Sequence, residues 1–568
     1  MASWYAWVKS AITGLSLHPR HKRPLFLLAL TWGLYFLALM PRILEFTDEG
    51  LYGGHVNVWS DWALHIGMVN TFAYKSPWEW FAYHPIYAQG AFTYPFLTNL
   101  ISGLLLRVGL SLIPAMVLPS IFFVWLLLFG LYLLFEKLLH NTWQAVTTIF
   151  LFLLSSGPGF LRYGAAIWAR GELFFPDQDY SRIDDHQWYA GNVIEGLLIP
   201  QRAFLLGMTL GVWALYCFFL GLSEATEKPK LACRYFSLSG LLVGTLAFTH
   251  VHSLIAISLG MALVAGHFLF LHSKKWWLFI YLALPSCSLV FCYYFFFLRN
   301  GIETKSFQTY SPGWTAKGDV IAWVWLWLKI WGLSLPLTIW GYDHYCKHTS
   351  NLSTKIFFGS FFILFGFTNL FLLQPVAWDN SKVFFWCYLM FCAMIAYYLD
   401  RLRQCRPLRW LVVCLLGLLC LSGFIEVLSI QFVAKHRYLM TASEEIRLGE
   451  EIRAKTASQD VFLTAPDHNH FILMWAQRPI VLGYWVWAWN FGFNYEETLK
   501  DVHAMLQGAT NTLELFRKHH IHYVVIGAKD LAELHVNQEF YAKFPISFQS
   551  SSYRVYDVGA FAPKTLPP

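Results

Sequence analysis

Apolar stretches of bilayer-crossing length recur along the whole chain, and nothing constrains a fold more. The spans read as 25–44, 114–136, 143–160, 198–222, 236–250, 252–272, 277–298, 318–342, 355–373, 383–400 and 409–432, eleven in all. Of 568 residues 57% are hydrophobic and 13% charged, against roughly 25% charged in soluble domains. The chain is therefore expected to be a polytopic α-helical membrane protein. A barrel would show short alternating segments instead of continuous runs.

Charge placement orders the spans. Arg20, Lys22 and Arg23, then Lys137, Lys228 with Lys230 and Arg234, Lys274 with Lys275, Lys347 with Lys355, and Arg401 to Arg409 all fall in short connections. With eleven spans, every such group lies on the cytoplasmic side, as the positive-inside rule asks. The N-terminus is then cytoplasmic and the C-terminal region extracytoplasmic, in a cytoplasmic (inner) membrane. The first span follows "HPRHKRP" without a small-residue cleavage site, so it reads as a retained anchor. A twelfth apolar stretch, 95–112, would invert the pattern. It is expected to lie at the outer interface with Arg107 reaching toward headgroups.

The formal net charge of +7 is thus used at the membrane. No basic run alternates with aromatics on a soluble face, so nucleic acid is not a partner. All ten cysteines fall in spans or cytoplasmic connections, with no C-x-x-C pair at zinc-site spacing.

Three polar regions go outside: loop 45–95, loop 161–197 and a tail from 433 to 568. The transmembrane domain is accordingly 1–432. In the tail, "SEEIRLGEEIRAK" reads as a helix, "DVFLTAP" and "PIVLGY" as strands, "TLELFRKHHIHYVVIGA" as helix then strand, and "SSYRVYDV" as a strand. That alternation implies a small α/β domain.

The outer loops also hold the reactive groups. In "HVNVWSDWALHIGMV", Asp61 and His65 stand one helical turn apart, and Ser60 is placed to cap that helix. Asp48 and Glu49 precede them in "TDEG", and loop 161–197 carries Asp177, Asp179, Asp184, Asp185 and His186. His250, His252 and Asp379 lie at the tops of later spans. Singly, each fits a solvated loop; gathered on one face, they call for chemistry. Among the outer cations, which include Lys305, Arg202 in "LIPQRAFLLG" and Lys382 in "WDNSK" open spans at the interface. There a cation either holds a lipid phosphate or snorkels.

A span, a long acidic outer loop with an interfacial helix, many further spans and a soluble outer tail resemble the GT-C superfamily of membrane glycosyltransferases. "TDEG" is similar to the Asp-Glu pair of the protein O-mannosyltransferases, and "SDWALH" to a D-x-x-x-H pattern of bacterial members. "TYPFLTNLISGLLLRVGLSLIPAMVLPSIFFVWLLLFGLYLLFEKL" resembles the family's interfacial helix and second span. The tail pieces around "VFLTAPDHNHF" and "LFRKHHIHYVVIGAKDL" resemble the bacterial outer domain.

The resemblance implies transfer of a sugar from a polyprenyl-phosphate-linked donor, among membrane lipids, to a protein, lipid or glycan acceptor. A first-loop carboxylate acts as base and the anomeric centre inverts. Asp61 is the expected base, with His65 orienting it or polarising the acceptor and Asp48 and Glu49 in reserve. Arg202 and Lys382 are expected to meet the donor phosphate. Asp184, Asp185, His186, His250, His252 and Asp379 are expected to contact substrate.

A divalent metal, Mg or Mn, at Asp61, Asp184 or Asp185 stays an open alternative, since no spacing forms a metal signature. The aromatic run "GYWVWAWNFGFNY" is either a sugar-stacking platform or a face packed on the membrane. The rival readings are a transporter or lipid flippase, an envelope polysaccharide polymerase or ligase, and a scaffold. A transporter predicts ionisable residues at mid-span and repeated halves, whereas the acids singled out here lie in outer loops.

Overall fold

Among the described residues nine helices are long and apolar enough to cross a membrane, and the bent pair Val320–Trp331 and Ser334–His348, meeting at 97°, makes ten if it counts as one crossing. The computed structural model describes residues 19–561 apart from 155, 300, 302–308 and 433–436; Lys305 lies outside that set. The protein is multi-pass, with nine to ten such helices where the apolar pattern predicts eleven.

The difference lies mainly at 143–160. Only Thr142–Leu153 forms an apolar helix there, about 18 Å long at 1.5 Å per residue, against a hydrocarbon core of about 30 Å. It ends at Leu153, and beyond it Gly157 lies so close to the Lys329 and Ile330 carbonyls that a Cβ would fall 2.4 Å from Ile330 O. No larger residue fits that approach.

The helix Ala377–Gln404 is the bundle's centre, 94% of its most apolar window being buried. At the end away from the C-terminal domain, Asn141 and Gln144 donate to Asp400 Oδ2 and Arg403 to its Oδ1. Asn351, in the sequon-like "NLS", caps the helix Leu352–Leu370 at that end.

The opposite end carries the first-loop elements. Leu44–Phe46 and Gly50–Gly53 form an antiparallel hairpin, and its second strand pairs with Tyr438–Ala442. The first loop and the tail therefore share one sheet. The helix Val56–Tyr74 follows, called the site helix below. It starts before Ser60: His55 is its N-cap, Nδ1 accepting from Asn57 N at 3.2 Å. Ser60 is thus inside the helix and donates to Asn57 O, which corrects the capping expectation.

From Trp62 to Asn70 every residue of the site helix is buried, as expected of a helix packed on all sides. One of those sides is the tail. Asn70 Nδ2 donates to Met474 O at 2.7 Å, and Gly67 lets Leu473 O approach where a Cβ would sit 2.9 Å away.

Residues 95–112 contain an eleven-residue helix, Leu97–Arg107, too short to span. It packs on the site helix, where Gly103 meets Phe72 Cβ and Val69 O. Arg107 is exposed at the end of this helix, and its Nη1 donates to Lys75 O at 3.1 Å.

In the tail, Val461–Leu463 runs parallel to Ile521–Gly527, which pairs antiparallel with Tyr553–Asp557, and Ile546–Gln549 closes the sheet. The helices Ser443–Lys455 and Thr512–Lys518 stand where the sequence places them. "PIVLGY" is not a full strand: it makes one bridge, Ile480 to Phe462, because its other amides are spent elsewhere, Gly483 N on Ile86 O for example.

Candidate functional site

Three separate pieces of chain meet beside Asp61. The helical turn Ala377–Asn380 at the head of the central helix brings Asp379, whose Oδ1 lies 2.6 Å from Lys382 Nζ. Spacing of three residues puts both on one helical face, and both side chains are largely buried. The tail supplies Asn490, the last residue of the short helix Trp485–Asn490, whose Nδ2 donates to Asp379 Oδ2 at 2.6 Å. Asn490 Oδ1 in turn accepts from Val376 N at 3.2 Å.

Asp61 sits in the second turn of the site helix and is partly accessible. Burial pushes its carboxyl up to about 7; the Lys382 charge pulls the other way, and the Asp379 charge adds to the rise. A carboxylate with a pKa near neutrality is suited to proton transfer. Tyr94 shares this environment, feeling the charges of both Asp61 and Asp379. His252 lies within the field of Lys382 and Asp379, and its ring centroid is 5.4 Å from that of His250. His250 caps the helix Val251–Leu271 through Nδ1, and its buried Nε2 has no partner among the described residues.

The other sequence candidates lie elsewhere. His65 is buried against the helix Leu97–Arg107, where Asn99 Nδ2 donates to its Nδ1 at 3.0 Å. Burial and the Arg202 charge hold its pKa down at about 3. It is a neutral packing residue, not a partner of Asp61, because its ring is buried against the neighbouring helix and engaged by Asn99.

Arg202 is corrected likewise. It is 1% exposed, and its guanidinium donates to Asn99 Oδ1, Ser102 Oγ and Met116 O. Such a fork is committed to protein acceptors, so it joins three helices instead of holding a phosphate. Asp48 and Glu49 are exposed at the hairpin turn; Ser443 Oγ donates to Asp48 O and Tyr52 to Glu49. Asp184 and Asp185 are exposed, Asp184 paired with Arg182 at 2.5 Å, and His186 Nδ1 is 3.3 Å from Thr315 O. They do not join Asp61, so the metal set drawn from Asp61, Asp184 and Asp185 is not assembled.

The aromatic run of the tail borders the site. Tyr484 stacks on His468 with centroids 3.5 Å apart, Trp487 meets both edge-on, and Trp59 of the site helix lies 5.5 Å from His468. On the other side Trp188 stacks on Phe385 of the central helix and meets Trp378 and Trp314 edge-on, fixing loop 161–197 against the bundle.

Sequence reasoning missed Asn490, since an amide in an aromatic tail segment carries no signal of its own. It also missed a buried carboxylate group. One oxygen each of Asp179, Glu195 and Glu426 lies within 4.8 Å of the others. Glu426, a lone acid in the last span, was the available signal.

No family model matches the chain, and no curated protein matches it. Solved structures do. The apo oligosaccharyltransferase of Archaeoglobus fulgidus matches with a TM-score of 0.53 and 11% identity over 89% of this chain and 70% of that one. The same organism's AglB, in complex with an inhibitory peptide and a dolichol-phosphate, matches with a TM-score of 0.50 and 11% identity over the same shares. ArnT from Cupriavidus metallidurans bound to undecaprenyl phosphate has a TM-score of 0.49 and 10% identity, over 95% of this chain and 99% of that one. At such identities the likeness carries the fold alone: the chain shares the multi-pass membrane fold of the archaeal oligosaccharyltransferase.

Proposed function

We propose that the protein is a membrane glycosyltransferase that takes a sugar from a polyprenyl-phosphate-linked donor, with Asp61 as the general base. The observation that carries this reading is the convergence of Asp61, the Asp379–Lys382 pair and Asn490 at one partly accessible point. The archaeal neighbour solved with a dolichol-phosphate supports a lipid-phosphate donor.

The chemistry assigns the roles. An acceptor hydroxyl or amide attacks the anomeric carbon opposite the leaving phosphate, which inverts that centre without a covalent sugar–enzyme step. Asp61 takes the proton that the acceptor loses. Lys382 meets the charge growing on the leaving phosphate, while Asp379, itself held by Asn490, keeps its ammonium in place. The Tyr484, His468 and Trp487 rings offer flat apolar faces for a sugar near the acceptor side. The C-terminal region reaches the site through Asn490, and on the reading of the basic connections that region is expected outside the cell.

The test uses the full chain purified in lipid with a panel of radiolabelled polyprenyl-phosphate sugars, following release or transfer of label. Wild type is expected to turn over one donor. Asp61→Asn is expected to lose about 100-fold or more in rate while still binding it. Undiminished turnover by Asp61→Asn would overturn the assignment of the base, and no turnover of any donor by wild type would overturn the donor class.

A further inference from the structure

Asp179 and Glu195 come from loop 161–197, Glu195 on the irregular helical turn that closes it before the helix Arg202–Glu224, and Glu426 comes from the last span. Glu195 is 6% exposed and Glu426 1%. Among the described residues, no lysine or arginine pairs with any of them; the one ionisable base in contact is His55, whose Nε2 lies 2.9 Å from Glu195 Oε1. Three carboxyl groups against at most one imidazolium need protons or a cation to balance them in a region where charge is costly.

The donors already present do not meet that demand. Asp179 accepts from the backbone amides of Ser181, Arg182 and Gly191, and Ser181 Oγ donates to Glu426 Oε1 at 3.1 Å. Asp179 and Glu426 bring their carboxyl oxygens to within 4.8 Å of each other. Glu195 Oε2, in contrast, is fully buried and has no partner. It belongs to the same carboxylate whose oxygen lies within 4.8 Å of the other two. Oxygen atoms at most 4.8 Å apart fit around one cation with metal–oxygen distances of about 2.1–2.6 Å.

We infer that Asp179, Glu195 and Glu426 form a site for a hard divalent cation, separate from the Asp61 centre, that pins the site helix to the last span. The donor set is all oxygen, which suits Mg2+, Mn2+ or Ca2+. As the cation enters, any carboxyl of the three that carries a proton releases it to solvent, and Glu195 Oε2 with one oxygen each of Asp179 and Glu426 turns to the metal. His55 stays on Glu195 Oε1 and orients that ligand from behind.

The site's position gives it a task. His55 is the N-cap of the helix that carries Asp61 six residues on, about 9 Å along the axis, and Asp61 feels Lys382 and Asp379 instead of the triad. The last span is also tied to the first, Tyr35 donating to Val427 O and Arg42 to Gln431 O. A cation here would lock the start of the site helix to both spans.

The experiment needs no glycosyl transfer, so its outcome is independent of the proposed activity. The full chain in lipid is stripped with chelator and titrated with Mn2+, following free Mn2+ by electron paramagnetic resonance and unfolding by thermal melt. One Mn2+ per chain is expected, with a rise in Tm. Glu426→Gln and Asp179→Asn are each expected to weaken binding at least about tenfold and to lose the Tm rise, while Asp61→Asn keeps both. If Glu426→Gln fails to fold, Asp179→Asn on the exposed side of the cluster decides. Absence of stoichiometric Mn2+ overturns the inference. Binding that survives Asp179→Asn but disappears with Asp61→Asn also overturns it, because the cation would then belong to the Asp61 centre.

Discussion

Asn490, at the end of a tail helix, donates to Asp379 Oδ2 at 2.6 Å while Lys382 holds Oδ1 at the same distance. Removing the amide leaves Asp379 with Lys382 alone and frees the aromatic helix above the site. A charge-assisted hydrogen bond is worth about 1.5–3 kcal/mol. Asn490→Ala is therefore expected to lower kcat/KM about tenfold or more, with Asp61→Asn donor binding unchanged as the comparison. An unaltered kcat/KM in the labelled-donor assay would remove Asn490 from the site.

Proton transfer to Asp61 sets a pH dependence. With its carboxyl at about 7, kcat/KM should rise tenfold per pH unit below that value and level off above it. Lys382 lowers the Asp61 pKa, so Lys382→Met should move the rising limb to higher pH. Stability runs the other way. Because the folded-state value lies above the carboxyl's ordinary 3.8, the folded protein binds more protons than the unfolded chain across that window. Stability from this group is complete below 3.8 and is lost as pH rises through about 7. Asp61→Asn should flatten that fall, by less than about 1.4 kcal/mol per unit because the group is partly solvated. Thermal melts from pH 5 to 8 measure it.

Lys382 and Asp61 should separate kinetically. If Lys382 meets the donor phosphate, Lys382→Gln raises KM as well as lowering kcat, whereas Asp61→Asn lowers kcat with KM nearly unchanged. Asp48→Asn and Glu49→Gln, at the exposed hairpin turn, should stay within about twofold of wild type, as surface changes do. A large loss in either would move the base back to "TDEG".

What the sequence makes legible follows from which forces act locally. Apolar length is local, so most spans and the short interfacial helix at 97–107 can be read directly. The break at Gly157 and Pro158 depends on the approach of Ile330, a contact no window of sequence contains. Asp61 and Lys382 stand out as ionisable groups at helix entrances. Arg202 stands out equally, yet it is satisfied by Asn99 and Ser102 more than 90 residues away. Only the packing of the helix Leu97–Arg107 distinguishes a phosphate fork from a buried clamp. Asn490 is beyond sequence reasoning, because its role exists only once the tail has folded onto residue 379.

Arg202 therefore makes a prediction opposite in kind to that for Lys382. Its guanidinium joins Asn99 and Ser102 of one helix to Met116 of the next and lies 5.5 Å over the Trp62 ring of the site helix. Arg202→Ala takes the donor from Asn99 Oδ1 and Ser102 Oγ, while Met116 O keeps Ser120 Oγ, and leaves a cavity beneath Trp62, at a cost of about 3–5 kcal/mol. Arg202→Lys keeps the charge but not the planar fork, so it should recover only part of this. Both variants are expected to melt lower than wild type. In whatever fraction stays folded, the KM for the donor should be close to wild type. A phosphate-binding arginine would give the reverse: an unchanged melt and a raised KM, with lysine rescuing in proportion to its charge. Thermal melts and donor saturation curves on the same preparations distinguish the two, and a raised KM at an unchanged Tm would return Arg202 to the donor site.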